Sequence, residues 1–183
     1  LNLVVFPGQQ LPLNIFEPRY IQHINECASG EKKFGIPAMI FDRMTDHGTE
    51  MNLVEVVKRY DSGRMEIVVE GGKIFKIVEE LNEVPDKLYK AAIVFEAPHL
   101  PYDTLILNPT LLDLLQQLSR LMYVKFDFLE EHKNVMSFDI APYIALEPED
   151  QYRMLSSKSE IGRQMFLIEH TKKLIELLKI QRN

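Results

Sequence analysis

The sequence predicts an α+β protein in which a small, mostly antiparallel β-barrel or sandwich, residues 1–98, is followed by a C-terminal helical bundle, residues 99–183. Short apolar runs separated by turns rich in glycine and proline fill the first half, as in small barrels and sandwiches. Beyond Pro98 the apolar residues recur at helical spacing instead. We therefore expect a connector near residues 98–102, between a β-rich and a helical part.

Composition and charge narrow the class of protein. Of the 183 residues 46% are hydrophobic and 26% are charged, which is typical of a globular chain with a sizeable core. No apolar stretch approaches the roughly 20 residues of a membrane span. The net charge is −6 and neither half is basic, so nucleic acid is the less favoured partner. Cys27 is the only cysteine and the N-terminal residues do not resemble a signal peptide, so we expect a cytoplasmic protein.

Turn residues delimit the elements of the first domain. Pro12 indicates an edge strand, Pro18 suits the first position of a helix, and Gly30 suits its end. The segment Asp61-Ser62-Gly63 predicts a hairpin turn, and Gly71-Gly72 predicts a bend or bulge between two strands. Strand candidates are residues 11–16, 34–41 (interrupted by Pro37), 51–59, 65–70, 74–78 and 91–95, with a polar loop through Asp46-His47-Gly48.

Two long helices are predicted in the second domain. Pro109 opens the first, whose apolar face comprises Leu111, Leu112, Leu114, Leu115, Leu118 and Leu121. Ser157 and Glu160 have the spacing of a capping box at the start of the second. Its apolar side is predicted to comprise Ile161, Met165, Ile168, Ile175 and Leu178, with Leu167, Leu174 and Leu177 beside them.

No motif for nucleotide, metal or nucleophilic chemistry is found. Gly71-Gly72-Lys73 lacks the remaining residues of a phosphate-binding loop. The histidines are scattered, and none forms an i, i+4 pair suited to zinc. Helix capping explains Ser156-Ser157-Lys158, and Cys27 on a helix favours a small buried hydrophobe. We therefore expect no metal, no cofactor and no enzymatic activity in this chain.

One group of residues resembles a known family. Val5-Phe6-Pro7-Gly8, Leu11-Pro12-Leu13 and Ile15-Phe16-Glu17-Pro18-Arg19-Tyr20 are similar to the opening signature of the Lon protease N-terminal domain family. Phe34-Gly35-Ile36, Gly48-Thr49, Gly63-Arg64, Val69-Glu70-Gly71 and Phe75-Lys76-Ile77 follow in the expected order. The match is specific over about residues 3–80 and looser beyond, and it is nearest to short, single-domain bacterial members.

The resemblance implies a PUA-like β-barrel followed by helices. In full-length Lon proteases this region is associated with substrate selection and assembly, whereas a Ser–Lys dyad in a separate domain cleaves the peptide bond. Nothing in this chain resembles that peptidase segment. Two departures, Pro37 and the second glycine at Gly72, could alter the strand register locally.

The corner formed by Phe16, Glu17, Arg19 and Tyr20 is the candidate partner-binding site. A structural interpretation has Glu17 favouring the helix N-terminus, Tyr20 packing inward and Arg19 bonding to loop carbonyls. The functional interpretation has Glu17 and Arg19 lining a peptide groove, approached through a cleft between the barrel and the helices.

These observations favour a non-catalytic polypeptide-binding or adaptor module. Edge strands marked by Pro12 and Pro37, beside an apolar helical face, would suit strand addition or the binding of a helix in a groove. The alternatives are a small-molecule or RNA-binding PUA-like protein, or an uncharacterised hydrolase. The sequence specifies neither the partner nor the oligomeric state.

Overall fold

A computed structural model describes residues 2–30, 33–97, 106–131 and 135–181 of the protein. The chain forms two compact units, Leu1–Ala97 (unit 1) and Pro98–Asn183 (unit 2). The predicted connector at residues 98–102 lies outside the described residues. Among those described, no helix combines the length and apolar character needed to cross a bilayer.

Unit 1 is an antiparallel sheet with one helix. Its elements are β1 (Gln10–Ile15), α1 (Pro18–Gly30), β2 (Phe34–Ile40), β3 (Arg43–Arg59), β4 (Met65–Leu81) and β5 (Ala91–Glu96). The strand order is β1-β4-β3-β2, and β5 also pairs with β4. One edge of β4 therefore carries two strands, β1 beside residues 65–70 and β5 beside residues 75–81.

The α+β class and the antiparallel pairing are confirmed, but the strands form an open sheet rather than a closed barrel. Within the described residues β1 and β2, at the two ends of the order, do not pair with each other. The N-terminal segment makes only an isolated bridge to β2, in which Leu3 and Met39 exchange N–H···O bonds of 3.0 and 2.8 Å. One bridge does not amount to the continuous ladder that a barrel needs.

Strand β3 begins earlier than predicted, so the β2–β3 turn lies at other residues. Asp46-His47-Gly48, predicted to be a loop, lies within β3, and the chain turns instead at Phe41 and Asp42, whose φ angles are 48° and 60°. These positive values are typical of a tight hairpin turn. The predicted turn at Asp61-Ser62-Gly63 is confirmed: Gly63 has φ 84° and its N–H donates to the carbonyl of Tyr60.

The Gly71-Gly72 pair permits a close backbone crossing. β4 is one strand rather than two, but Thr49 pairs with Ile74 and Met51 with Gly71, so β4 carries one extra residue and the predicted bulge is present. Gly71 exchanges backbone hydrogen bonds with residues 8 and 9, and a Cβ there would collide with the carbonyl oxygen of Phe6. Only glycine lets the N-terminal segment cross β4 at this distance.

The core of unit 1 lies between the inner face of the sheet and α1. Alternate residues of the strands point inward, as their period of two requires. The buried cluster consists of Val5, Ile15, Ile24, Met51, Met65, Ile67 and Val69. Cys27 on α1 is buried as predicted, and α1 begins at Pro18 and ends at Gly30 as predicted.

Unit 2 is helical in its described residues. They form α2 (Pro109–Met122), α3 (Phe128–Glu131), α4 (Ser137–Ile140), a 3-10 turn (Ala141–Tyr143), α5 (Pro148–Ser156) and α6 (Glu160–Ile180). The start of α2 at Pro109 is confirmed, and Asn108 caps it by accepting from the N–H of Thr110. Residues Leu111, Leu114, Leu115 and Leu118 are buried, as its apolar spacing predicts.

The start of α6 and the first turns of its buried face differ from prediction, whereas Ile168 and Ile175 are buried as predicted. Ser159, not Ser157, caps the helix by accepting from the N–H of Gly162. Ile161 and Met165, predicted to be buried, are about half exposed, at 50% and 47%. The buried side begins with polar residues and continues with apolar ones: Glu160, Arg163, Gln164, Leu167, Ile168, Thr171 and Ile175.

Candidate functional site

The end of β1 places an aromatic ring on the outer surface of unit 1. Ile15 belongs to the core, so strand alternation directs Asn14 and Phe16 to the opposite face. Phe16, which directly follows the strand, is 66% exposed. The exposed ring leaves the role predicted for Phe16 in partner binding open, and that role stays a prediction.

Glu17 both starts α1 and orients Arg19. Its carbonyl accepts from the N–H groups of Tyr20 and Ile21 at 3.0 Å, which satisfies donors of the first turn. Its carboxylate Oε2 accepts from Arg19 Nε at 2.9 Å and Nη2 at 2.7 Å. Because both side chains are exposed, the pair contributes only about 0–1 kcal/mol of stability, and its main effect is to hold the guanidinium in place.

Arg19 lies over the ring of Tyr20. Its Cζ is 4.6 Å from the ring centroid, within the range of a cation–π contact. Tyr20 is 42% exposed, so the expectation that it packs inward is wrong. The expectation that Arg19 bonds to loop carbonyls is also wrong, because the carboxylate of Glu17 is a charged acceptor two residues away.

A second aromatic residue with two cations lies at the β3–β4 turn. Lys58 Nζ is 4.7 Å and Arg64 Cζ is 4.9 Å from the ring centroid of Tyr60. The Tyr60 hydroxyl donates to Glu66 at 2.5 Å. The turn orients the ring, because the N–H of Tyr60 donates to the carbonyl of Arg64 at 2.9 Å.

Two contacts join this turn to the start of α1. Arg64 Nε donates to Asn14 Oδ1 at 2.8 Å, which ties the turn to β1 just before Phe16. A Cβ added at Gly63 would be 3.8 Å from Ile21 Cδ1, so α1 packs over the turn. The two aromatic groups therefore form one surface, which we call the aromatic corner: Phe16, Arg19, Tyr20, Lys58, Tyr60 and Arg64.

Two carboxylates flank the cations of the aromatic corner. Glu17 neutralises Arg19, and Glu66 lies 3.6 Å from Arg64. Carboxylates among the cations oppose a phosphate backbone, whereas oriented guanidinium groups beside exposed rings suit aromatic side chains and single carboxylates.

Part of this surface coincides with the candidate site of the sequence analysis, whose binding role stays a prediction. Phe16, Glu17, Arg19 and Tyr20 were predicted as the candidate site and lie on one contiguous segment. The predicted cleft towards the helical domain stays a prediction. Sequence reasoning missed Lys58, Tyr60 and Arg64. The turn at residues 61–63 was the available signal, because a hairpin brings its flanking residues together.

A second cluster joins α1 to the segment between β4 and β5. The ring of His23 stacks on Tyr89 with centroids 4.0 Å apart, and Gln22 bonds to Asp86 O at 3.0 Å and Leu88 N at 2.9 Å. Burial lowers the pKa of His23 below 6.5; the carboxylate of Glu26 opposes this shift and Lys87 adds to it.

The carboxylate of Glu26 anchors the same segment. It accepts from the Tyr89 hydroxyl at 2.7 Å and pairs with Lys87 Nζ at 2.8 Å, and these hydrogen bonds raise the pKa values of both partners. These contacts are structural. In the described part of the chain, no group of three or more His, Cys, Asp or Glu side chains is arranged to hold a metal ion.

Comparison with known proteins identifies the family. Residues 1–173 match the family model of the ATP-dependent protease La (LON) substrate-binding domain. The chain belongs to this family. The resemblance to Lon N-terminal domains that the sequence indicated is therefore confirmed.

Relatives of this LON substrate-binding domain protein include both sequences and solved structures. A Lon protease of Flavobacterium johnsoniae is 29% identical over an alignment of 92 residues, and the match covers 46% of this chain and 11% of that protease. The chain thus matches only a small part of the curated relative's length.

Two solved structures share the fold. A Lon N-terminal domain protein from Xanthomonas campestris has a TM-score of 0.70 at 19% identity, covering 92% of this chain and 94% of that one. The N-terminal domain of the Mycobacterium avium complex Lon protease has a TM-score of 0.67 at 20% identity, covering 93% and 94%. The described sheet and helices are therefore the Lon N-terminal domain fold.

Proposed function

We propose that this chain recognises substrates as a polypeptide-binding or adaptor module, and that a polypeptide docks on the aromatic corner. The observation that carries the proposal is a guanidinium, Arg19, that Glu17 orients over the exposed ring of Tyr20, on the segment that begins with the exposed ring of Phe16. Membership of the LON substrate-binding domain family supports the same conclusion.

The exposed rings supply the binding energy in this proposal. Full burial of a phenylalanine side chain is worth about 1.5–3 kcal/mol, and Phe16 is largely exposed before a partner binds. Arg19 needs little reordering because Glu17 already holds it, so less entropy is lost on binding. The favoured ligand is an extended segment in which aromatic and acidic side chains alternate.

The edge of β1 adds a backbone contribution. Among the described strands only β4 pairs with β1, so its other edge faces no strand. Pro12 supplies no N–H, which restricts pairing with an added strand to the residues nearest Phe16. A client segment would therefore make a short strand addition with its side chains on the aromatic corner.

A fluorescence anisotropy titration tests the site. The probe is a labelled, reduced and carboxymethylated α-lactalbumin, which is unfolded and acidic. Phe16→Ala is expected to raise Kd about tenfold, because most of one ring's burial is lost. Phe41→Ala is the matched control, since Phe41 is 64% exposed on the β2–β3 turn. Equal effects of the two substitutions would rule out the aromatic corner.

Arg19→Ala separates binding from stability. In the proposal the affinity falls while the melting temperature hardly moves, because Arg19 is exposed and its ion pair contributes little. If the variant instead loses stability and its folded fraction binds the probe as before, the corner is structural. A labelled oligoribonucleotide is titrated in parallel, and tighter binding of that probe would favour the RNA-binding alternative.

We also propose that the chain has no ATPase or peptidase activity of its own. It contains neither a phosphate-binding loop nor a segment resembling the Lon peptidase dyad. Incubation with ATP or with casein should give turnover at the level of a mock purification. Activity that stays with the chain through stringent purification would contradict this.

A further inference from the structure

β5 lacks the protection that the other sheet edges have. β1 contains Pro12, β2 contains Pro37, and the part of β3 that β2 leaves unpaired carries two bulges, at Val54 and Val57. Proline and bulges restrict the pairing of an edge with another chain to short stretches. β5 has the sequence Ala-Ala-Ile-Val-Phe-Glu, with no proline and no charge before its last residue. Its register shift against β4 places the extra residue on β4.

The unprotected strand is also apolar and exposed. Ile93, Val94 and Phe95 are 49%, 45% and 47% exposed, and as consecutive residues they lie on both faces of the strand. In the described residues only β4 pairs with β5. β5 therefore presents unpaired backbone groups flanked by large apolar side chains, which favours association with another strand.

The hydrogen bonds to β4 show which backbone groups point outward. The N–H of Ala97 donates to the carbonyl of Ile74 at 2.9 Å, so residue 97 points towards β4. Antiparallel pairing alternates along the strand, so Phe95 points the same way, and Ala92, Val94 and Glu96 point their N–H and C=O groups outward. An added strand must bond to these three residues.

We infer that a second copy of this chain pairs with β5 through its own β5, antiparallel and about a two-fold axis at Ile93. In this register Ala92 of each copy lies opposite Val94 of the other, and both have outward-pointing backbone groups. Ala91 lies opposite Phe95, so a small residue faces a large one on either side of the axis. The strand is thus complementary to itself, as a two-fold interface requires.

Charge complementarity selects this register. Lys90 and Glu96 flank the strand, and a two-fold axis at Ile93 places Lys90 of each copy opposite Glu96 of the other. Axes at Ala92 or Val94 would place a charged residue opposite an apolar or small one instead. Within one copy Lys90 bonds to Asn82 at 3.2 Å and Glu96 to Lys73 at 2.8 Å, both on the surface, where such pairs exchange readily.

The pairing goes beyond the proposed function and leaves its site accessible. The aromatic corner lies at the Met65 end of β4, whereas β5 pairs with residues 75–81. Ten residues of strand separate the two by roughly 30 Å. Each copy in the pair therefore keeps its own aromatic corner, and two linked sites would bind one long polypeptide more tightly than either alone.

Sedimentation equilibrium of the full chain with charge reversals tests the inference. The wild type should dimerise, and Lys90→Glu or Glu96→Lys should each weaken dimerisation at least about fivefold, because both salt bridges become like-charge pairs. An equimolar mixture of the two variants should dimerise as the wild type does, because in the mixed dimer residue 90 of each copy again faces a residue 96 of opposite charge. A wild type that stays monomeric at about 100 μM, or variants that dimerise as well as it does, would overturn the inference.

A cysteine at the axis tests the register. Ile93→Cys should give a disulfide-linked dimer under mild oxidation, because facing residues of a non-hydrogen-bonded pair have Cα atoms about 4.5 Å apart. Val78→Cys, 62% exposed on β4, is the control and should cross-link much more slowly. Cys27 is buried and should not cross-link the wild type. Equal cross-linking of the two variants would rule out the axis at Ile93.

The two proposals fail separately. Dimerisation is measured without any client, and Phe16→Ala should leave it unchanged. If the wild type is monomeric and a β5 charge reversal weakens binding of the unfolded probe, then β5 takes a client strand rather than a second copy, and the inference is wrong.

Discussion

Arg163 and Glu160 form an ion pair that is completely buried in unit 2. Arg163 Nη2 lies 2.8 Å from Glu160 Oε2, and neither side chain has exposed surface. Ser137 donates to both Glu160 oxygens through its N–H and its hydroxyl at 2.8 Å, and Gln164 donates to Oε1 at 3.0 Å. Arg163 Nη1 also donates to the carbonyl of Ser157 at 2.9 Å. The network joins the start of α6 to α4 and to the end of α5.

Glu160→Gln should destabilise unit 2 by about 3–5 kcal/mol, because it leaves the buried guanidinium of Arg163 without a counter-charge. Urea denaturation monitored by circular dichroism measures the loss. Glu169→Gln, on the exposed side of the same helix, is the control and should change stability by less than about 0.5 kcal/mol. Replacing both Glu160 and Arg163 with methionine should lower the free energy of unfolding by less than Glu160→Gln does, because no unpaired buried charge remains. A larger loss in the double variant would contradict this account.

Gly71→Ala should destabilise unit 1 by more than about 2 kcal/mol, because the added methyl group collides with the carbonyl of Phe6 and displaces the crossing segment. Thermal unfolding gives the measurement. The same substitution at Gly162 is the control: its Cβ would be 3.4 Å from Ser157 Oγ, and alanine is the better helix former, so stability should hold or rise. Equal losses at the two positions would show that the crossing is not responsible.

The stability of unit 1 should fall as the pH drops below about 6.5. Burial lowers the folded-state pKa of His23, so the unfolded chain binds the proton more tightly and acid favours unfolding. The contribution of neutral His23 to the free energy of unfolding is complete above pH 6.5, and it is lost as the pH falls through the folded-state pKa. His23→Phe keeps a stacked ring but has no titrating group, so it should remove the dependence of the free energy of unfolding on pH between pH 5 and 7. An unchanged slope in the variant would assign the pH dependence to other groups.

Residues 1–97 should fold on their own, because the core cluster that buries α1 against the sheet is drawn entirely from this segment. This expectation extends the predicted domain boundary at residue 98, which stays a prediction. The purified fragment should unfold cooperatively with temperature and show dispersed amide resonances. Loss of cooperativity in the fragment, with the whole chain still cooperative, would show that unit 1 needs residues 98–183.

Features fixed by local chemistry could be predicted from the sequence. Pro18 and Pro109 mark helix starts because the fixed φ of proline suits the first turn, and Gly30 marks a helix end because glycine is a poor helix former. Gly63 marks its hairpin because glycine readily adopts a positive φ. The edge position of β1 followed from Pro12, which has no N–H to share with a second neighbour.

Features that depend on distant partners could not be predicted. Glu160 and Arg163 are charged and therefore indicated an exposed surface, but they form a buried ion pair, so the first turns of the apolar face of α6, at Ile161 and Met165, were placed wrongly. Closure of a barrel depends on pairing between strands at opposite ends of the order, which no local pattern records. In the candidate site, the segment containing Phe16 was predicted, but Tyr60 joins it only through the β3–β4 register.

The pairing of β1 with β4 also determines the order in which unit 1 can form as the chain is synthesised. Gln10 lies opposite Glu70, so β1 has no partner strand until the chain has grown by sixty residues. At a synthesis rate of about 5–20 residues per second, the apolar side of β1 is without its neighbour for several seconds. β2 and β3 can pair meanwhile, because they are adjacent in the chain. The N-terminal strand is therefore among the last elements to dock in unit 1, although it is the first to be made.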